Sequence, residues 1–248
     1  MAGYSSFAGY YDQLTQNVDY KARATYFSEL IRLYQPATEL VLDLACGTGS
    51  LSVELAALGY NMTAADGSAD MLSFAMQKAA EREADILFLC QPMERLDLYG
   101  TVDTAICALD SLNHLNKSQL LRALERLQLF VAPGGLFIFD VNTVYKHRNI
   151  LADNCFVYEL DDLFCVWQNS LLTEDAVEVS LDFFVQQSGS SYRRESECFR
   201  EYIYPEEFLR NVLADNSFEV LDIFAEDSTN PPKADSQRLV YVARRLGE

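Results

Sequence analysis

The chain has 248 residues, half of them hydrophobic and 12% aromatic, which suffices for one α/β domain with an insertion and excludes a disordered chain. Nineteen Lys and Arg stand against 37 Asp and Glu, a net charge of -18. That balance argues against nucleic acid and against an anionic membrane surface as partners, since both demand a basic face.

In chain order, residues 20–34 read as a helix with Asp19 as its cap. Residues 39–45 form a continuous apolar run, the pattern of a strand buried on both faces. A helix over 49–58 is stopped by Gly59. Residues 61–65 are the next strand, and Ser68 caps a helix that runs to about residue 83. Strands follow at 86–90 and 102–108, then a helix at 117–131. The tetrapeptide APGG, 132–135, reads as a turn before a strand at 136–141. Strands alternate with helices five times, which implies a parallel sheet with helices on both faces. Right-handed crossovers make it doubly wound.

The rhythm changes after Asn142. A short helix over 143–151 leads into extended segments at about 155–160, 163–172, 176–187 and 191–203. In VEVSLDFFV, Val177, Val179, Leu181, Phe183 and Val185 alternate with polar residues, the mark of a half-buried antiparallel strand. Pro205 opens a helix to about residue 215. Strands near 218–225 and 237–244 close the chain, and an antiparallel pair there suits a sheet edge. The expected fold is α/β: a Rossmann-like, doubly wound, mostly parallel sheet with a small inserted antiparallel β subdomain. Residues 1–145 would hold an N-terminal helix segment and the ligand-binding core. Residues 146–204 would be an insertion covering the active site, and 205–248 would return a helix and two strands to the core sheet.

None of the six cysteines forms a CxxC pair or stands at metal-ligand spacing from the two histidines, so no metal site is expected. Reduced thiols, no signal-like start in MAGYSSFAGYYDQL and no apolar stretch long enough for a bilayer point to the cytoplasm. Cys90 and Cys107 end apolar runs and read as small core residues.

The stretch VLDLACGTGS, 41–50, carries the chemistry. A buried strand stops at a turn with Gly47 and Gly49, where a ligand can meet backbone N–H groups and a helix N-terminus. Asp66 ends the next strand, where a carboxylate can accept from both hydroxyls of a ribose. Dinucleotides and S-adenosylmethionine both suit such a site. The dinucleotide fingerprint GxGxxG lacks its third glycine here, because that position is Ser52.

The segment VLDLACGTGSLSVELAALGYNMTAADGSADMLSFA resembles the first two motifs of class I S-adenosylmethionine-dependent methyltransferases. LFLCQPMERLDL resembles the third, VDTAICALDSLNHL the fourth, and LQLFVAPGGLFIFDVNT the segment around the fifth strand. The front segment YSSFAGYYDQL and the antiparallel insertion resemble a subgroup of small bacterial enzymes of this class. The resemblance implies S-adenosylmethionine as cofactor and a small-molecule methyl acceptor. It implies that Ala45, Gly47 and Gly49 meet the methionine part and that Asp43 orients the turn or reaches the amino group through water. Asp66 would bind the ribose, with Gly67 and Ser68 beside it. Met71 and Met93 would flank the adenine, Leu109 would border the site, and Tyr11 would be a cofactor-side tyrosine. The acid that usually holds the adenine amino group is Pro92 here, with Gln91 as an imperfect substitute.

His114 is a candidate general base with Asp110 orienting it, and Tyr11 is a further catalytic candidate. Tyr4, Phe7, Tyr10 and Tyr11 form an aromatic cluster that either lids the cofactor or packs on the domain. Arg193, Arg194 and Arg200, interleaved with Glu195, Glu197 and Glu201, read as a solvated, cross-paired face. Trp167, Phe183 and Phe184 read as the core of the insertion, and His147 lies near the mouth of the site. Two other readings stay open: a binding or regulatory protein that keeps the pocket without turnover, and an NAD(P)-dependent oxidoreductase.

Overall fold

The continuous apolar runs become the middle of one sheet, and the alternating ones become a second sheet. In the computed structural model, residues 5–160 and 162–247 are described. Helices α1 (Ser5–Leu14) and α2 (Tyr20–Tyr34) precede the alternating series. That series is β1 (Leu40–Leu44), α3 (Ser50–Ala57), β2 (Asn61–Asp66), α4 (Ala69–Glu81), β3 (Ile86–Cys90), β4 (Val102–Cys107), α5 (Lys117–Phe130) and β5 (Val131–Asn142). After four further strands, β6 (Cys155–Glu159) to β9 (Tyr192–Tyr202), come α6 (Glu206–Asp215), β10 (Phe218–Ala225) and β11 (Arg238–Arg245).

The seven-stranded sheet has the order β10-β11-β5-β4-β1-β2-β3. Its strands are parallel except that β11 runs antiparallel to both β5 and β10. Strand order reverses between β1 and β4, which opens a crevice at their carboxyl ends. Within β1, Leu42 and Leu44 join α5 and α6 in one apolar cluster, while Val41 joins α2 and α3 in the other. Each fully buried Leu or Phe contributes about 1.5–3 kcal/mol, so the two layers fix β1 from both faces.

Local chemistry sets the helix starts. The Asp19 side chain accepts from Ala22 N at 2.9 Å, and Ser68 Oγ accepts from Met71 N at 3.3 Å. Asn116 and Gln119 close a reciprocal capping box on α5. APGG is the start of β5 itself rather than a turn before it, with an irregular register against β4 that absorbs Gly134 at φ +83°. Cys107 is buried as expected, but Cys90 is exposed, because β3 is the sheet edge.

The second sheet is antiparallel: β6 (Cys155–Glu159), β7 (Leu163–Thr173), β8 (Ala176–Gln186) and β9 (Tyr192–Tyr202). Val177, Val179, Leu181 and Phe183 are buried on its inner face. Phe184 faces the other way, beside Phe164 with ring centroids 6.2 Å apart, since successive strand residues point to opposite faces. It is therefore not core. Helix α1 seats against this sheet through Tyr10, whose ring stacks on Phe183 at 5.6 Å. Tyr4 and the Phe7 side chain lie outside the described residues. No helix among the described residues is long and apolar enough to cross a membrane.

Candidate active site

Three residues of the turn after β1 take left-handed backbone: Ala45 (φ 61°), Gly47 (φ 55°) and Gly49 (φ 73°). The two glycines serve different ends. A Cβ on Gly49 would stand 2.8 Å from Ala75 Cβ, so Gly49 lets α3 and α4 approach each other. A Cβ on Gly47 would meet nothing within 4 Å, so there the bare backbone opens onto space a ligand can enter. Gly47 N donates to Asp66 Oδ2 at 2.9 Å, and Ser68 N donates to Asp66 Oδ1 at 2.8 Å. Asp66 thus ties the turns after β1 and β2 together. Burial lifts its carboxyl above the usual carboxylate range, and the two amides offset this only in part.

Asp43 does not reach this space. It is buried beneath the turn, where Ser52 Oγ donates to it at 2.5 Å, and burial pushes its carboxyl up to about 6. It braces the start of α3 from within.

A cavity of about 980 Å³ opens above the strand ends. Of the candidates read from the sequence, Tyr11, Ala45, Gly47, Asp66, Gly67, Ser68, Met71, Gln91, Met93, Leu109, Asp110 and His114 line it; Asp43 and Gly49 do not. The Gln91 amide is engaged at both ends with the backbone of Asp97. Asp70 and Glu94 also line the cavity and were not singled out from the sequence. Burial and the neighbouring Tyr20 and Asp110 hold the Tyr11 phenol well above its ordinary range. Beside it, Asp12 accepts from Thr48 Oγ1 at 2.7 Å and from Lys78 Nζ at 2.8 Å, latching α1 onto the glycine turn.

The rest of the wall is a charged network. Leu109 (φ 56°) and Asp110 (φ 53°) are consecutive left-handed residues after β4, and such backbone costs about 1–3 kcal/mol each. Asp140, fully buried at the end of β5, holds them by accepting from Leu109 N at 2.9 Å and Asp110 N at 2.6 Å. Asp140 also accepts from Arg23 at 2.9 Å. Arg238 donates to Asp110 Oδ1 at 2.5 Å and lies 3.2 Å from Glu226. Burial pushes the Asp110 carboxyl up, but Arg238, Lys146 and His114 outweigh it and hold the group below the usual carboxylate range.

Strand β9 corrects the reading of its charges. Arg194 and Arg200 face solvent, paired with Asp182 and Glu178. Glu197 and Glu201 face inward and are buried. Glu201 lines the cavity with Tyr158, Trp167, Leu181 and Phe199 of the same sheet. His147, fully buried, lies 3.0 Å from Glu201. One atom each from Asp110, His114 and Glu201 lie within 4.8 Å of one another. That spacing would also suit a metal ion, but both Asp110 oxygens already accept, from Arg238 and from Asn142. Only the strand's two-residue alternation in RRESECFRE could have separated its inward acids from its outward arginines.

A family model described as a methyltransferase domain matches residues 41–135. A protein of Geobacillus sp. (strain WCH70) named as a methyltransferase is 31% identical over 245 residues, 98% of this chain and 99% of that one. A solved S-adenosylmethionine-dependent methyltransferase from Clostridium acetobutylicum matches with a TM-score of 0.89 at 31% identity, over 98% of this chain and 99% of the other. The chain belongs to the class I S-adenosylmethionine-dependent methyltransferases. The glycine N-methyltransferase of Rattus norvegicus is also similar, 31% identical over 203 residues, 72% of this chain and 66% of its own length. The methyltransferase uses S-adenosylmethionine, and its turn fits that cofactor: open backbone at Gly47, a carboxylate at Asp66, and a cavity with room for a small acceptor as well.

Proposed function

We propose that this methyltransferase transfers the methyl group of S-adenosylmethionine to the nitrogen of a small amine. The observation that carries this reading is the convergence of Asp110, His114 and Glu201 in a wall shared with Tyr158, Trp167 and Phe199. Carboxylates and aromatic faces complement an ammonium group. Acids outnumber Lys and Arg around the cavity, and Arg23 and Arg238 are each paired with carboxylates. The similarity to glycine N-methyltransferase supports the same reading.

In this proposal Asp66 binds the ribose hydroxyls, and the Ala45–Gly47 backbone meets the methionine part. Gly67 and Ser68 sit beside the ribose, Met71 and Met93 flank the adenine, and Leu109 and Tyr11 border the reacting end. Glu94 is the acid that the third motif puts on the wall near Pro92. The cofactor supplies an electrophilic methyl on a sulfonium. The protein's part is to hold the amine in line with it, a positioning effect of about 7–11 kcal/mol. The antiparallel sheet covers the acceptor, and six free cysteines favour the cytoplasm.

The test is to incubate the protein with S-adenosylmethionine and, separately, glycine, sarcosine, glucosamine or catechol, reading S-adenosylhomocysteine and product by mass spectrometry. Methylated amine is expected. Transfer to catechol alone would defeat the nitrogen reading. Cofactor binding with no turnover on a broad acceptor panel would favour a regulatory protein.

A further inference from the structure

His147 and Glu201 come together from the short helical segment Lys146–Leu151 after β5 and from β9, and both are buried. His147 Nδ1 lies 3.0 Å from the Thr143 carbonyl oxygen. A carbonyl only accepts, so Nδ1 carries a proton. His147 Nε2 lies 3.0 Å from Glu201 Oε2. Two bare acceptors do not hold that distance, so a second proton lies between ring and carboxyl. Asn142 Nδ2 donates to the same Oε2 at 3.2 Å, and its amide is oriented by Lys146, which donates to Oδ1 at 2.9 Å. Oε2 is therefore fully engaged. Oε1 receives no hydrogen bond from the described residues, and Glu201 forms part of the cavity wall. The charged groups around Glu201 are Asp110 and His114 from the loop after β4, Lys146 and His147 after β5, Glu197 on its own strand, and Arg238 of β11.

We propose that Glu201 is the proton acceptor for methyl transfer to an amine, and that His147 is a positioning residue that supplies the shared proton and so leaves Glu201 an anion. This rests on the amine reading above. The acceptor's ammonium gives one proton to Oε1. Its freed lone pair forms the N–C bond as the C–S bond breaks, and the sulfur keeps that electron pair as a neutral thioether. The product leaves as a methylated ammonium, and the proton passes from Glu201 to water.

The chain has two histidines, so ¹⁵N-histidine NMR can read the pair without turnover. In the wild-type protein both His147 nitrogens should be protonated, and in Glu201→Gln the Nε2 proton should be lost. With whichever amine of the panel the wild type methylates, Glu201→Gln should lower kcat about 100-fold or more. The variant should stay folded with a lowered melt, because it breaks a buried pair. Its calorimetric S-adenosylmethionine affinity should stay near wild type, and Glu201→Asp should recover part of the rate. His147→Gln should lower kcat several-fold with KM nearly unchanged, because Glu201 loses the partner that orients its carboxyl toward the cavity. A folded Glu201→Gln with wild-type kcat would overturn the proposal. So would a rate lost only in His114→Asn, or one abolished by EDTA and restored by Mn²⁺. If the wild type methylates no amine, the nitrogen reading fails by itself. The NMR arm still decides the dyad, since an unprotonated His147 nitrogen would overturn it.

Discussion

Asp66 reaches Gly47 across 19 residues and Ser68 across two, whereas Arg23 reaches Asp140 across 117 and Glu226 across 203. The proposed cofactor side of the cavity is thus held by neighbours in sequence, with backbone amides as donors. The proposed acceptor side is held by charged side chains brought together by the whole fold. Their electrostatics differ as well. Asp43, buried under the glycine turn, has no cation beside it among the described residues and is pushed up, while Asp110, half-buried across the cavity, is held down by Arg238. The first arrangement is a cradle closed over a short span of sequence, and the second is a network that only the whole fold assembles.

Asp140 is where the acceptor side should break. Its carboxylate accepts from two strained backbone amides and from Arg23. An Asn there keeps one acceptor and turns an amide donor toward existing donors. Removing one partner of a buried ion pair costs about 3–5 kcal/mol, so Asp140→Asn should lose about that much in urea unfolding. A loss below about 1 kcal/mol would show that the loop after β4 is held by something else.

Asp43 probes the other side through pH. Its folded value of about 6 lies above the unfolded 3.8, so between them the folded state binds more protons. Stability should therefore fall as pH rises from about 4 to about 6, and the loss should persist above that. At 1.36 kcal/mol per unit it amounts to about 3 kcal/mol. Asp43→Asn, which can still accept from Ser52, should remove this slope. Parallel unfolding curves for the two proteins from pH 4 to 7 would show that the Asp43 carboxyl is not raised.

The same contrast explains what could be read in advance. The alternation of strands and helices, the helix caps at Asp19 and Ser68 and the glycine turn followed by Asp66 are all written over short spans, where period and spacing carry the signal. Gly49 and Asp43 do not line the cavity. Asp43 keeps the turn-orienting role among its alternatives, and for Gly49 sequence does not show whether a small residue clears space for a cofactor or for a helix such as α4. Asp140 looks like the polar end of a buried strand, and Glu201 looks like one charge among six. Their roles depend on Arg23 and His147, which no spacing rule connects to them. Pairing of that kind is settled by register and burial, hence legible only in the folded chain.

Asp66→Ala addresses the cradle directly. Hydrogen bonds to a charged group are worth about 1.5–3 kcal/mol, so S-adenosylmethionine affinity measured by calorimetry should fall roughly 10- to 150-fold if Asp66 holds the ribose. Unchanged affinity would remove Asp66 from the proposed site and leave it only the role of tying two turns together.

The smallest effect should come from the Lys78–Asp12 pair beside the glycine turn. Lys78 Nζ spends its three donors on Asp12 Oδ2, Thr48 Oγ1 and Ser50 Oγ, at 2.8, 3.1 and 2.6 Å. The Asp12 side chain is 46% exposed, so solvent screens the pair and its worth to stability is below about 1 kcal/mol. Its place matters more than its strength, because it fastens α1, and with it Tyr11, against the glycine turn. Lys78→Ala should therefore leave the unfolding midpoint nearly unchanged while the cofactor's dissociation rate rises several-fold in stopped-flow displacement. Salt supplies the control, since a screened ion pair weakens as ionic strength grows. Added NaCl should speed release from the wild type and have little further effect on Lys78→Ala. Equal salt sensitivity in both would mean that α1 is held by Tyr10 and the aromatic packing alone, and the latch would then be a surface contact without influence on the cofactor.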